Sequence, residues 1–234
     1  MSKIVRKKAG EGPAKAKPAT AWSMSRLNDY RRCPKLFYFK HILCIKEPPN
    51  KAMARGTEIH EMAEAYVLGK LKELPPVLSG FAEEFNKLRK MKPKPVTEEM
   101  LCYDADWNPT PSDNWDGIRT RIKADVFYVQ GDTVTIIDYK TGKIKDEHEE
   151  QLDLYALGMF KYFPHAKKVR SELWYIDQEE IHEKEYTRQD IPRLEKHFAK
   201  ETKALLSDTV WKEKPSALCK YCFYSKGKNG NCKF

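Results

Sequence analysis

Apolar residues recur at helical spacing over residues 52–71, where Met53, Ile59, Met62, Ala63, Tyr66 and Val67 form one stripe, and this pattern predicts an amphipathic helix. Upstream, Ser25 is placed to cap a short helix over 25–32, and Pro34 to start a second one holding Phe37, Tyr38 and Phe39, with Cys33 at the joint. A further helix is expected over 79–90, ended by Pro93 and Pro95. An extended segment over 97–103 leads into a polar loop with Trp107 and Trp115, read as an insertion or a substrate-contacting flap. The pattern then becomes that of strands over 118–130 and 133–140, separated by Gly131-Asp132, whose leading glycine suits a type II′ hairpin turn. A helix over 149–162, short strands over 169–177 and 181–186, and a helix over 190–207 follow, without internal repeats. The first twenty or so residues carry Lys3, Arg6, Lys7, Lys8, Lys15 and Lys17 among Gly, Pro and Ala with no apolar periodicity, which reads as a disordered basic arm.

The 234 residues, 41% hydrophobic and 33% charged, suffice for one substantial core. One catalytic domain is therefore expected over 21–214, between the arm at 1–20 and a cysteine-rich segment at 215–234. No run of about 18 apolar residues is present, which excludes a membrane-spanning helix. The N-terminus lacks the apolar centre of a signal peptide, so the expected location is cytoplasmic. The formal charge of +9 favours a polyanionic partner. Six cysteines (Cys33, Cys44, Cys102, Cys219, Cys222 and Cys232) in an unsecreted chain are metal ligands or buried thiols rather than disulfides.

Candidate chemistry gathers on the hairpin. Counting back symmetrically from Gly131-Asp132 places Asp125 directly opposite Asp138, with both carboxylates on one face. Opposed like charges across antiparallel strands destabilise a sheet unless a cation relieves them. Alternation sets Lys140 beside Asp138 and turns Tyr139 to the other face. Two hard oxygen ligands suit Mg²⁺ or Mn²⁺, which activates water and neutralises charge on a phosphate, a task a nearby lysine assists. The plain alternative is a set of ordinary strand-end polar residues. His60 and Glu64, four apart on the helix over 52–71, share a face, and Gln151 and Tyr155 repeat that spacing on the helix over 149–162.

Five segments in this order, SRLNDYRRCP (25–34), RGTEIHEMAE (55–64), Asp125, IDYKTGK (137–143) and QLDLY (151–155), resemble the PD-(D/E)XK nuclease superfamily. The likeness is greatest to its RecB-like and AddB-like exonucleases and to the CRISPR-associated four-cysteine nucleases. The resemblance implies an α/β fold with a restriction-endonuclease-like core, a mixed central sheet flanked by helices. It implies that His60, Asp125 and Asp138 bind metal together with the backbone carbonyl of Tyr139, that Lys140 is the catalytic lysine, and that Gln151 and Tyr155 position DNA. Glu64 and Glu98 are additional active-site candidates.

Cys219, Cys222 and Cys232 form a C-x₂-C-x₉-C arrangement, with Cys33 far upstream. In the resembling nucleases such a split set holds a 4Fe–4S cluster that joins the C-terminal segment to the N-terminal helices. A structural Zn²⁺ on four cysteines is the competing reading, and unligated thiols a third. Cys44 and Cys102 have no partner by spacing and are expected to be buried free thiols.

The expected activity is a metal-dependent DNA exonuclease of recombination, repair or phage-type DNA processing, acting on single strands or duplex ends. A structure-selective endonuclease and a weakly active DNA-binding subunit are the alternatives. No phosphate-binding G-x-x-x-x-G-K-S/T loop occurs, so ATP-driven unwinding requires a helicase or recombinase partner, and a single-strand-binding protein is a further candidate partner.

Overall fold

A computed structural model describes residues 18–234, so most of the expected basic arm lies outside the described residues. In chain order the elements are α1 (Met24–Arg32), α2 (Pro34–Phe37), α3 (Lys51–Val67), α4 (Ala82–Lys90), β1 (Val96–Tyr103), β2 (Pro109–Thr110), β3 (Thr120–Gln130), β4 (Thr133–Lys140), α5 (Glu149–Tyr162), β5 (Lys168–Tyr175), β6 (Glu180–Thr187) and α6 (Ile191–Ser207). The six strands form one sheet in the order β2-β1-β3-β4-β5-β6. Only β4 and β5 run parallel, so the sheet is mixed, and helices flank it as the α/β fold requires. Among the described residues no helix is long and apolar enough to cross a membrane.

The chain divides into two compact units. The larger comprises Thr20–Ser25 and Glu47–Thr202, and the smaller includes Arg26–Lys46 and Lys203–Phe234. In the larger unit Ile59, Ala63, Tyr66 and Val67 of α3 and Phe85 and Leu88 of α4 pack with Val126, Ile137, Tyr139 and Trp174 of the sheet. Helix α5 covers strands β3 to β5 with a continuous buried run from Leu154 to Phe160. It lies so close to β3 that a Cβ on Gly158 would stand 2.4 Å from Ile122 Cδ1. The Tyr103 hydroxyl donates to Gly158 O at 2.8 Å across the same contact.

Several boundaries differ from the sequence pattern for local reasons. Helix α1 begins at Met24, so Ser25 lies in its first turn instead of capping it. Asn50 caps α3 by accepting the Met53 N–H at 2.9 Å. That helix stops at Val67 because Gly69 takes φ 82°, with Gly69 N donating to Tyr66 O and Lys70 N to Ala65 O, a Schellman ending. Residues 76–81 are a 3₁₀ segment leading into α4, and the turn after α2, Tyr38–Ile42, is π-helical. Gly131 takes φ 61°, the positive value that the first central position of a type II′ turn requires.

The smaller unit is organised around Trp211, which is 1% exposed. Its ring stacks on Phe37 at 5.2 Å and meets Tyr30 edge-on at 6.1 Å. Asp208 sets the approach: Oδ1 accepts the N–H groups of Val210 and Trp211, while Oδ2 accepts the Tyr30 hydroxyl at 3.0 Å. Cys102 is buried as expected, whereas Cys44 is exposed. Cys44 follows the π-helical turn at φ 52°, and its thiol is turned back only as far as His41 O, 3.9 Å away. Replacing Trp211 with alanine is expected to cost about 3–5 kcal/mol, the range for truncating a buried aromatic, and urea unfolding of the variant against the unsubstituted chain measures it.

Candidate active site

The hairpin register is symmetric about Gly131-Asp132, running from the Gln130–Thr133 pair to Val126–Ile137, where the β3–β4 ladder ends. The next positions along that register are Asp125 and Asp138. On its other side β3 pairs with β1 at Val126–Thr97 and again at Ala124–Glu99, skipping Asp125 and Glu98. Glu98 has φ 54°, a left-handed value disfavoured for a residue with a Cβ. Simple alternation does not survive this break: Ile122 faces α5, while Val126, also even-numbered, packs beneath α3 and α4. Both ladders thus open at one point, and the polar side chains fill it.

Asp125 is 5% exposed. Its Oδ2 accepts the Tyr139 backbone N–H at 2.7 Å, and its Oδ1 lies 3.3 Å from His60 Nδ1. Glu98 Oε1 is 3.9 Å from the same nitrogen. His60, Glu98 and Asp125 bring three ligand atoms within 4.8 Å of one another, the one such grouping of His, Cys, Asp or Glu among the described residues. Burial raises the Asp125 pKa, and the charge of Asp138 adds to the rise, while His60 and the Tyr139 N–H pull it back. Burial opposes the charged form of His60, yet Asp125, Asp138 and Glu98 together raise its pKa. A site that concentrates negative charge in this way is suited to a hard cation.

Asp138 belongs to a second set of contacts. Its Oδ1 accepts from Gln151 Nε2 at 3.1 Å and from the Tyr155 hydroxyl. Its buried Oδ2 has Lys140 Nζ at 2.5 Å as an ion pair, but no hydrogen bond of ordinary angle reaches it. Lys140 Nζ also donates to Gln151 Oε1 at 2.8 Å. The 151/155 spacing on α5 therefore serves to hold Asp138 and Lys140 directly. Glu64 stands outside the close group but lines the adjoining cleft with Glu61, Gly56, Thr57, His60, Glu98 and Lys123.

Three further residues shape the site and escaped the sequence reading. Lys123 Nζ is 2.5 Å from Glu98 Oε2; its spacing of two from Asp125 on β3 was the available signal. Asp177 accepts a forked pair from Arg55, at 2.9 and 2.6 Å, and the Gly142 N–H at 2.7 Å. It thereby joins the start of α3, which carries His60, to the loop that follows Lys140. A Cβ on Gly56 would come within 3.3 Å of Thr141 Oγ1, so glycine there permits the same close approach.

In the smaller unit Cys33, Cys219, Cys222 and Cys232 line one cavity, together with Leu36, Phe39 and Tyr224. Backbone N–H groups are aimed at two of the sulfurs: Lys214 N lies 3.4 Å from Cys33 Sγ, and Ser216 N 3.4 Å from Cys219 Sγ. Burial raises the Cys222 pKa, the Tyr224 N–H and the Arg32 charge oppose this, and Cys33 and Cys219 are near enough to add to the rise. No disulfide joins these cysteines, which are all free thiols.

The sequence profile of the PD-(D/E)XK nuclease superfamily matches residues 21–226. The chain belongs to this superfamily. It is accordingly a nuclease, with DNA the substrate that superfamily membership implies, and members typically use divalent metals. Asp138-Tyr139-Lys140, at the end of β4 within the matched range, reads D-x-K. Among solved structures, a candidate exonuclease from Eubacterium rectale superposes with a TM-score of 0.52 at 13% identity, covering 88% of each chain, a likeness of fold. The protein SSO0001 gives a TM-score of 0.39 at 16% identity over 89% of this chain and 85% of that one. No curated protein matches the chain in sequence.

Burial next to Asp138 disfavours the charged form of Asp125. The Asp125→Asn variant keeps an acceptor for the Tyr139 N–H but removes the charge. In chelator it is expected to melt above the unsubstituted protein, by about 2–4 °C for each kcal/mol of repulsion relieved. Adding Mn²⁺ should raise the melting point of the unsubstituted protein only, a contrast that differential scanning calorimetry reads directly.

Proposed function

We propose that this nuclease is a RecB-like and AddB-like exonuclease that digests DNA from its ends in recombination, repair or phage-type DNA processing. The observation that carries the reading is the convergence of His60, Glu98 and Asp125 at the ladder break, next to the Asp138–Lys140 pair. The donor set of one imidazole and several carboxylate oxygens, one of them without an ordinary hydrogen bond, fits Mg²⁺ or Mn²⁺. We assign His60, Asp125, Asp138 and the Tyr139 carbonyl as ligands, with Glu98 as a further one and Glu64 at the margin. When bound, the ion supplies a Lewis acid and a water of lowered pKa.

The chain's own residues do the rest. Lys140 holds a positive charge beside Asp138, where it orients the attacking water and stabilises charge that develops on the phosphate. Gln151 bridges Lys140 and Asp138, and Tyr155 fixes the same Asp138 oxygen, so both position the catalytic pair. Lys123 offsets the charge of Glu98 at the mouth of the cleft.

We assign Cys33, Cys219, Cys222 and Cys232 to a 4Fe–4S cluster, as in the CRISPR-associated four-cysteine nucleases. Four thiols on one cavity with N–H groups directed at two of them suit ligation by thiolates. The cluster's role is structural, and the lysines of the segment at 226–233 add positive charge that favours a polyanion. A helicase, recombinase or single-strand-binding protein is the partner this reading anticipates, since the chain has no nucleotide-binding loop of its own for unwinding.

Two measurements test these assignments. With Mn²⁺ or Mg²⁺, end-labelled linear DNA should be degraded while closed circles survive, and Asp138→Ala should lower the rate by at least roughly the 10²–10⁴-fold range of a lost catalytic group. Cut circles would replace the exonuclease with an endonuclease, and binding without any cleavage would leave a DNA-binding subunit. Protein purified without oxygen should contain iron and acid-labile sulfide, and Cys33→Ser should lose both. Zinc in their place would make the centre a Cys₄ zinc site.

A further inference from the structure

Two tryptophans occupy the loop between β1 and β3, and the structure treats them differently. Trp107 packs inward, edge-on to Trp22 at 6.4 Å and against Tyr103 at 5.7 Å. Trp115 is 70% exposed, the second most exposed large hydrophobic side chain described after Val210. Burial in the core therefore does not account for its size. Its backbone is nonetheless pinned. Asn114 donates through its N–H to Pro111 O at 3.1 Å and through Nδ2 to Thr110 Oγ1 at 3.0 Å, Trp115 N reaches Asp113 O at 3.0 Å, and Gly117 N returns to Asn114 O at 3.1 Å. The Arg121 guanidinium lies 5.2 Å from the centre of the exposed ring.

Arg121 also connects the ring to the active site. Arg121 and Lys123 are two apart on β3, so they share a face of the strand, opposite Cys102 and Met100 of β1. Lys123 in turn touches Glu98 of the acidic group. A line of aromatic, guanidinium and ammonium groups thus leads up to the carboxylates. At ~3.3 Å per residue, Arg121 stands about 13 Å along the strand from Asp125. That is about four nucleotides of a stacked strand at ~3.4 Å each, and fewer in one drawn out.

We infer that Trp115, Arg121 and Lys123 form a track for an unpaired DNA strand, with one base stacked on Trp115 and the intervening phosphates held by Arg121 and Lys123. The inference rests on the nuclease reading above and narrows its substrate to a strand with free bases. An exposed indole offers a flat face that every base can cover but that a paired base, already stacked on its neighbours, cannot reach. Cations on one side of the ring supply the backbone attraction that a sequence-independent single-strand site needs. The terminus being digested enters the cleft while the unpaired strand behind it lies along β3.

Binding and cleavage separate this inference from the reading it builds on. Fluorescence anisotropy with labelled oligothymidine, in Ca²⁺ to prevent turnover, should show Trp115→Ala binding about 5- to 100-fold more weakly than the unsubstituted protein. Trp115→Phe, which keeps a stacking face, should recover most of the loss. An abasic residue moved along the oligonucleotide should weaken the unsubstituted protein at one position by a similar factor and leave Trp115→Ala indifferent there. Blunt duplex of the same length should bind both proteins alike. Equal affinities of the alanine variant and the unsubstituted protein for oligothymidine, or an equal loss on duplex, would overturn the track even if Mn²⁺-dependent cleavage is intact. Failure of the unsubstituted protein to cleave any DNA would instead overturn the nuclease reading, with the anisotropy result still deciding whether Trp115 receives a base.

Discussion

At Asp125 the carboxylate takes over a bond that sheet pairing would otherwise supply: its Oδ2 accepts the Tyr139 N–H just beyond the last β3–β4 pair. An unpaired backbone N–H at such depth would cost about 1–3 kcal/mol, so this substitution is what allows the ladder to end inside the sheet without an orphaned donor. Once the ladder has ended, Glu98 swings into a left-handed conformation opposite Asp125, and His60 can approach from α3. The grouping of His60, Glu98 and Asp125 sits at the break that this exchange of a main-chain acceptor for a side-chain acceptor leaves satisfied.

The same exchange explains how much of the site was legible beforehand. The glycine-led turn and the period-two pattern give the correct register, because hairpin pairing is fixed locally by the turn. Asp125, Asp138 and Lys140 could therefore be drawn together from positions alone. What alternation could not foresee was its own failure at the break, which turns Asp125 toward His60 and Glu98 while Asp138 goes with α5. Glu98 is separated from Asp125 by a loop whose length hides the β1–β3 register, so its place opposite Asp125 was open to guesswork only. Helix α3 was visible from its stripe but overrun at its end, since the reversal at Gly69 is a matter of two backbone hydrogen bonds.

Asp177 illustrates a different kind of invisibility. It lies two residues past the end of β5, far in sequence from both groups it binds, and nothing in its neighbourhood marks it as special. Its role follows from topology: β5 lies parallel to β4, so the two strands finish at the same edge. An acidic residue just beyond one of them can accept from the loop leaving the other. Arg55, about one and a half turns ahead of His60 on α3, is already aligned there. The spacing RGTEIH in the sequence thus records a docking point at Arg55 as well as the place of His60 in the acidic group.

The two units also differ in how the chain reaches them. Apart from residues 20–25, the sheet-bearing unit is drawn from one unbroken stretch, Glu47–Thr202, whereas the cysteine-lined unit is assembled from segments on either side of it. Closing so wide a loop is entropically dear at first but rises only slowly with its length, by about 0.6 kcal/mol for each doubling. During synthesis the sheet and its acidic centre can consequently take shape while three of the four thiols have yet to emerge from the ribosome. The sheet-bearing unit can thus close on itself within one stretch of chain, whereas the cysteine-lined unit is complete only when residues 203–234 have met residues 26–46.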